Sequence, residues 1–112
     1  VSQNLADQSC PPCTAATPKL TPAEIATLAA QLPDWGIEPG PRLRRAFAFP
    51  DFLSALDFVN QSALLAEELA HHPDILLAWG KAEFTIWTHA IGGLSRADFI
   101  LAAKISRLNA GA

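Results

Sequence analysis

Proline decides how this chain can be divided. Pro22, Pro33, Pro39, Pro41, Pro50 and Pro73 each lack a backbone donor and push the preceding residue away from the helical region. A helix can begin at such a residue but cannot pass undisturbed through it. Thr21-Pro22-Ala23-Glu24 opens a helix, with Thr21 as N-cap, Pro22 in the first helical position and Glu24 three residues after the cap. Ile25, Leu28, Ala29 and Leu32 repeat at helical spacing until Pro33 ends the run. Trp35 to Ile37 is short and extended, Glu38-Pro39-Gly40-Pro41 is a turn, and Arg42 to Phe49 alternates as a strand. Pro50-Asp51 opens a second helix. Phe52, Leu56, Val59, Ala63, Ala66 and Ala70 form a stripe along it, expected to be its buried face, and Pro73 stops it.

The second half repeats the strand–strand–helix order. Asp74 to Trp79 reads as a strand and Gly80-Lys81 as a turn. In Ala82 to His89, residues Ala82, Phe84, Ile86 and Thr88 face one way and Glu83, Thr85, Trp87 and His89 the other. Gly92-Gly93 breaks the chain, and Ser95-Arg96-Ala97-Asp98 resembles a capping box at the start of a last helix carrying Phe99, Ala102, Ala103, Ile105 and Leu108. The order α-β-β-α-β-β-α with two hairpins predicts a two-layer α+β domain: a four-stranded antiparallel sheet with three helices on one face. The chain has 112 residues, enough for one domain. Residues 1–19 lack hydrophobic period and are expected to be a flexible tail, leaving 20–112 as the domain. Trp87 on the open face of the sheet needs a cover, for which a subunit contact in a homodimer or homotetramer is the expectation.

Composition removes several classes of function. Eight basic against eleven acidic side chains give a net charge of −3, unlike the basic footprint of a nucleic-acid binder. No apolar run is long enough to span a bilayer, and the first residues lack the basic start and apolar core of a secretory signal. A cytoplasmic location is expected, with organellar import left open. Cys10 and Cys13 lie in Cys-Pro-Pro-Cys, a stretch without the strand–helix context of a redox pair or the second ligand pair of a structural zinc.

All three histidines fall between positions 71 and 89. His71 and His72 are adjacent at the end of the second helix and His89 ends a strand. Glu67, one helical turn before His71, can orient that imidazole. Three histidines and Glu67 are metal-ligand types, but adjacent histidines chelate poorly, so no metal is expected. A proton-transfer site suits imidazoles that titrate near neutrality.

The spacing Glu67-x3-His71-His72-Pro73-x5-Trp79-x9-His89-x8-Asp98 resembles the signature of the pterin-4a-carbinolamine dehydratases. The likeness runs from about Leu20 to Leu108 and includes Thr88-His89 and Gly92-Gly93-Leu94-Ser95. It departs at Ala70, where the family often has Asp, and at Ile75, where it often has an aromatic. The resemblance implies loss of water from a 4a-hydroxytetrahydropterin to give the quinonoid dihydropterin, without metal or cofactor, in a dimer or tetramer. It implies His71 and His89 as the general acid/base pair and His72 as mainly a pterin-holding residue. Glu67, Pro73, Trp35, Thr88 and Asp98 would line or support the pterin site. Relatives of this fold also act as a transcription-factor dimerisation partner or as Rubisco assembly factors, so a non-catalytic role is the competing expectation.

Overall fold

The computed structural model describes residues 4–9 and 13–110; of the Cys-Pro-Pro-Cys motif only Cys13 is among them, and Cys10, Pro11 and Pro12 lie outside the described residues. Among these the order is α1 (Pro22–Ala29), β1 (Gly36–Glu38), β2 (Arg42–Ala48), α2 (Phe52–Leu69), β3 (Asp74–Ala78), β4 (Lys81–Ile86) and α3 (Arg96–Ala110), with single 3-10 turns at Leu5–Asp7 and His89–Ile91. The expected α+β architecture is present, with β1 shifted by one residue and β2, β3 and β4 a little shorter than read.

The first two helices begin where expected, and each start is capped. Thr21 and Glu24 form a reciprocal capping box on α1, and Asp51 accepts from the Ser54 N–H at 2.7 Å to cap α2. These backbone donors hold the Glu24 and Asp51 carboxyls below the usual carboxylate range. Their contribution to stability is therefore present above the ordinary carboxylate pKa and is lost as pH falls through the lowered values.

The sheet runs β1-β2-β4-β3 and every pairing is antiparallel. Register sets its faces. Leu43 pairs with Ile86 and Phe47 with Ala82, while Ile75 and Leu77 pair with Phe84 and Ala82, so these side chains share the covered face. Phe84, fully buried, stacks edge-on to Phe47 and Phe58 at 5.6 and 5.8 Å between ring centroids. Phe58 comes from α2, and Phe99, Leu101 and Ile105 of α3 complete the layer. The other face carries Arg44, bonded to Glu83 and Glu38.

The buried face of α2 differs from the expected stripe. Ala55, Phe58, Ser62 and Ala66 are buried, whereas Phe52 is 44% exposed and Ala63 and Ala70 lie at the surface. The helix has apolar residues around most of its circumference, and two faces offer similar spacing. The sheet takes the one carrying Phe58, because small residues above and below it let the helix approach while its ring meets Phe47 at 4.9 Å.

Within the span expected to be a flexible tail, the described residues 4–7 are docked on the domain. Leu5 and Ala6 are buried in the core, 1% and 4% exposed. Lys104 and Arg107 of α3 both donate to the Ala6 carbonyl, at 2.9 and 2.6 Å, and Arg107 pairs with Asp7. Asn4 caps the 3-10 turn. A stretch this short has no period to detect, and its partners lie about a hundred residues further on. Leu5→Ala is expected to lower stability by about 2–5 kcal/mol, read from the urea midpoint; an undocked segment leaves that midpoint unchanged.

Candidate active site

The histidines meet because α2 ends abruptly. Its last turn closes with Ala70 in the left-handed region (φ 53°, ψ 38°), while the Ala70 and His71 N–H groups bond back to the Glu67 and Ala66 carbonyls. This is a Schellman arrangement in which alanine stands where glycine is usual. His71 and His72 therefore lie beyond the helix, leading through Pro73 into β3. The β3–β4 ladder begins at Asp74 opposite Thr85. Continued two and three residues outward, that register would set His72 beside Trp87 and His71 beside Thr88.

The chain after β4 keeps its alternation. Thr88 is extended (φ −90°, ψ 104°) and buried, and its neighbours Trp87 and His89 point to the opposite side. A small open pocket of about 220 Å³ results, lined by Cys13, Ala70, His71, His72, Trp87, Thr88, His89 and Ala90. A larger hollow of about 720 Å³ lies between α2 and α3 around Phe58 and Leu65. It holds no histidine, and its cations Lys104 and Arg107 are engaged by the Ala6 carbonyl.

Beneath the pocket sits one carboxylate with no exposure, Asp98 in the first turn of α3. Its Oδ1 lies 2.5 Å from His71 Nε2, and its Oδ2 accepts from the Thr88 hydroxyl and the Ser95 N–H, both at 2.8 Å. Hydrogen counting fixes the rest. The Thr88 proton goes to Asp98, so Thr88 accepts from the Ser95 hydroxyl at 2.7 Å; Ser95 in turn accepts from the Cys13 thiol at 3.6 Å. Every donor in the chain Cys13–Ser95–Thr88 points toward Asp98. The carboxylate takes its third bond from His71 Nε2–H, which leaves His71 Nδ1 as the nitrogen able to exchange a proton. His71 is 7% exposed and cannot turn away freely.

The structure corrects several residue assignments. Glu67 does not orient His71; its Oε1 lies 2.6 Å from His72 Nε2, because the helix ends before His71 and the one-turn spacing no longer applies. Trp35, expected near the ligand, is a core residue 4% exposed, packed edge-on to Phe47 and donating its N–H to Ser106 at 2.8 Å. Thr88 lines the pocket as expected, Asp98 supports it from beneath, and Pro73 directs the chain into β3 without lining the pocket. Trp87, half-buried, is flanked within the chain by Arg42 and His89. Cys13 and Trp87 are pocket residues that sequence reasoning did not place there. The i, i+2 spacing of Trp87 and His89 on one strand was the available signal for the second; nothing marked the first. Among the described residues no three His, Cys, Asp or Glu side chains converge in a way that could hold a metal ion. No helix among them is long and apolar enough to cross a membrane.

A family model described as pterin 4 alpha carbinolamine dehydratase matches residues 18–108. A "Putative pterin-4-alpha-carbinolamine dehydratase" of Rubrobacter xylanophilus is 50% identical over 104 residues, covering 93% of this chain and 97% of its own. A protein of the same name from Marinobacter nauticus is 47% identical over 108 residues, with 94% and 97% covered. Among solved structures, a transcriptional coactivator/pterin dehydratase from Brucella melitensis superposes with a TM-score of 0.77 at 33% identity, covering 81% of this chain and 98% of that one. A pterin dehydratase-like protein described as a RuBisCO assembly factor in the alpha-carboxysome gives 0.59 at 26% identity, covering 67% and 88%.

The network under the pocket is testable without any substrate. Thr88→Val keeps the side-chain shape but removes one donor from a buried carboxylate. It is expected to cost about 1–3 kcal/mol in urea denaturation, with Thr88→Ser recovering most of the loss.

Proposed function

The chain belongs to the pterin 4 alpha carbinolamine dehydratase family, and on that premise we propose that it eliminates water from a 4a-hydroxytetrahydropterin to give the quinonoid dihydropterin, serving pterin recycling. The observation that carries this reading is the meeting of His71, His72 and His89 in one pocket, with His71 braced on a buried Asp98.

The reaction asks for what this pocket supplies. The C4a–O bond breaks as the leaving oxygen takes a proton, the N5 lone pair forms the C4a=N5 bond, and N5 then gives up its proton. One protonated and one neutral imidazole perform both transfers near neutrality, and no net proton is consumed. His71 offers Nδ1 from a fixed ring. His89 offers a second imidazole from the exposed turn across the pocket. With both able to donate, either stereoisomer of the carbinolamine can be served. His72, exposed and held by Glu67, is assigned in this proposal to binding the pterin rather than to exchanging its proton. We propose that this chemistry needs no metal or cofactor, and that the protein works as a homo-oligomer in the cytoplasm.

A second reading, a dehydratase-like assembly or dimerisation factor, draws support from the coactivator and assembly-factor descriptions of the two structural relatives. Retention of all three histidines favours catalysis.

Ultraviolet decay of the carbinolamine tests the proposal. His71→Ala and His89→Ala are each expected to lower kcat by roughly 100-fold or more while the fold persists by circular dichroism; near-normal turnover in the double variant rejects the assignment. His72→Ala is expected to raise KM more than it lowers kcat. Separately, dialysis against a chelator is expected to leave turnover unchanged. Loss of activity that returns only with added metal overturns the metal-free reading.

A further inference from the structure

Two of the three histidines are held by carboxylates, His71 by Asp98 and His72 by Glu67. His89 is held differently. It stands on the exposed 3-10 turn His89–Ile91, and its ring contact among the described residues is the Trp87 indole. The two rings are stacked, 4.2 Å between centroids and 27° between planes. The Arg42 guanidinium carbon lies 4.0 Å from the centroid of the same indole. Two groups that close to one ring centre must take opposite faces, so the indole is clamped between a cation and the imidazole.

The clamp follows from register. Leu43 pairs with Ile86, so the next residues outward, Arg42 and Trp87, are neighbours across the β2–β4 ladder on the uncovered face. Thr88 is extended, which returns His89 to the side of Trp87. Thr88 itself is tied down beneath by Asp98. An imidazole on an exposed turn has two free side-chain dihedrals, and a proton-transfer group must be held close to its productive position to be effective. The indole face is a flat stop that admits the ring in one plane and attracts it when protonated. Both indole faces are occupied, so Trp87 presents only its edge to the pocket.

We propose that Trp87, clamped by Arg42, is the positioning residue for His89, acting on the reaction through that imidazole rather than through contact with the pterin. The activity arm of this inference rests on the dehydratase reading; the stacking arm does not. In the free protein, the His89 ring protons are expected to resonate upfield under the indole ring current. Trp87→Leu should remove that shift, Trp87→Phe should keep part of it, and Arg42→Gln should weaken it. In turnover, Trp87→Leu should lower kcat roughly 10- to 100-fold with KM little changed, and Trp87→Phe should restore most of the rate. In a His89→Ala background, Trp87→Leu should add almost nothing, since the two act as one unit.

The outcomes separate cleanly. A raised KM with kcat intact shows that Trp87 touches the pterin and overturns the proposal, as does full additivity with His89→Ala. Absence of the upfield shift in the folded wild type overturns it without any substrate. If the wild type shows the shift but no dehydratase activity, the proposed reaction fails while the clamp stands. Should Trp87→Leu not fold, the Trp87→Phe and Arg42→Gln comparison decides the matter by the same two readouts.

Discussion

Asp98 is the charge around which the site is arranged. A carboxylate with no exposure is costly unless its oxygens are fully bonded, and here His71, Thr88 and Ser95 provide the bonds. Those partners come from three different places: the end of α2, the exit from β4, and the N-terminus of α3. The need to satisfy one buried group therefore fixes the mutual position of three elements that have no sequence proximity. A capping box at the start of a helix usually serves only that helix. In this one the Ser95 N–H still donates to the carboxylate three residues on, but the Ser95 hydroxyl is turned to Thr88, so the cap is shared with the site. Buried polar networks of this kind add little net stability compared with an apolar core, yet they penalise every other arrangement of the same elements.

The turn at Ala70 decides what the histidines can do. Had α2 continued through His71 and His72, the two rings would diverge by about 100° around the helix and Glu67 would face His71. The left-handed residue breaks that geometry and sends His71 inward and His72 outward. A non-glycine residue there costs on the order of 1–3 kcal/mol, which the bonds of His71 and the entry of the chain into β3 offset.

The same turn shows where the sequence could and could not be read. Element order, strand faces and both capping starts were legible, because each rests on local period or on a short motif with its own hydrogen bonds. Ala82, Phe84 and Ile86 alternate with Glu83 and Thr85 and are buried as the alternation requires. The face of α2 was not legible, since apolar side chains on several sides leave the choice to the shape of the sheet beneath. Nor was the partner of His71. Asp98 lies 27 positions away, and the nearer Glu67 was the better local candidate until the helix ended early. Leu5 and Ala6 escaped notice for a related reason: their burial depends on Lys104 and Arg107, not on anything within their own stretch. The histidine spacing itself was legible as a family resemblance, but that resemblance could not say which groups hold each ring.

The consequence is a division between the three imidazoles that chemistry would not suggest from their identity alone. His71 is 7% exposed and bonded to a buried carboxylate; its orientation is settled before any ligand arrives. His72 and His89 both stand at the surface, but one leans on an exposed carboxylate and the other on an aromatic face. An exposed ion pair holds its members loosely, because water competes for both charges. A stacked ring excludes water from one face and leaves both ring nitrogens open at the edge. Of the two surface histidines, His89 therefore keeps both nitrogens available for proton exchange, while His72 has one committed to Glu67. Similar residues in one pocket are suited to different tasks by what supports them, and the supports come from the strand register and helix end that built the pocket.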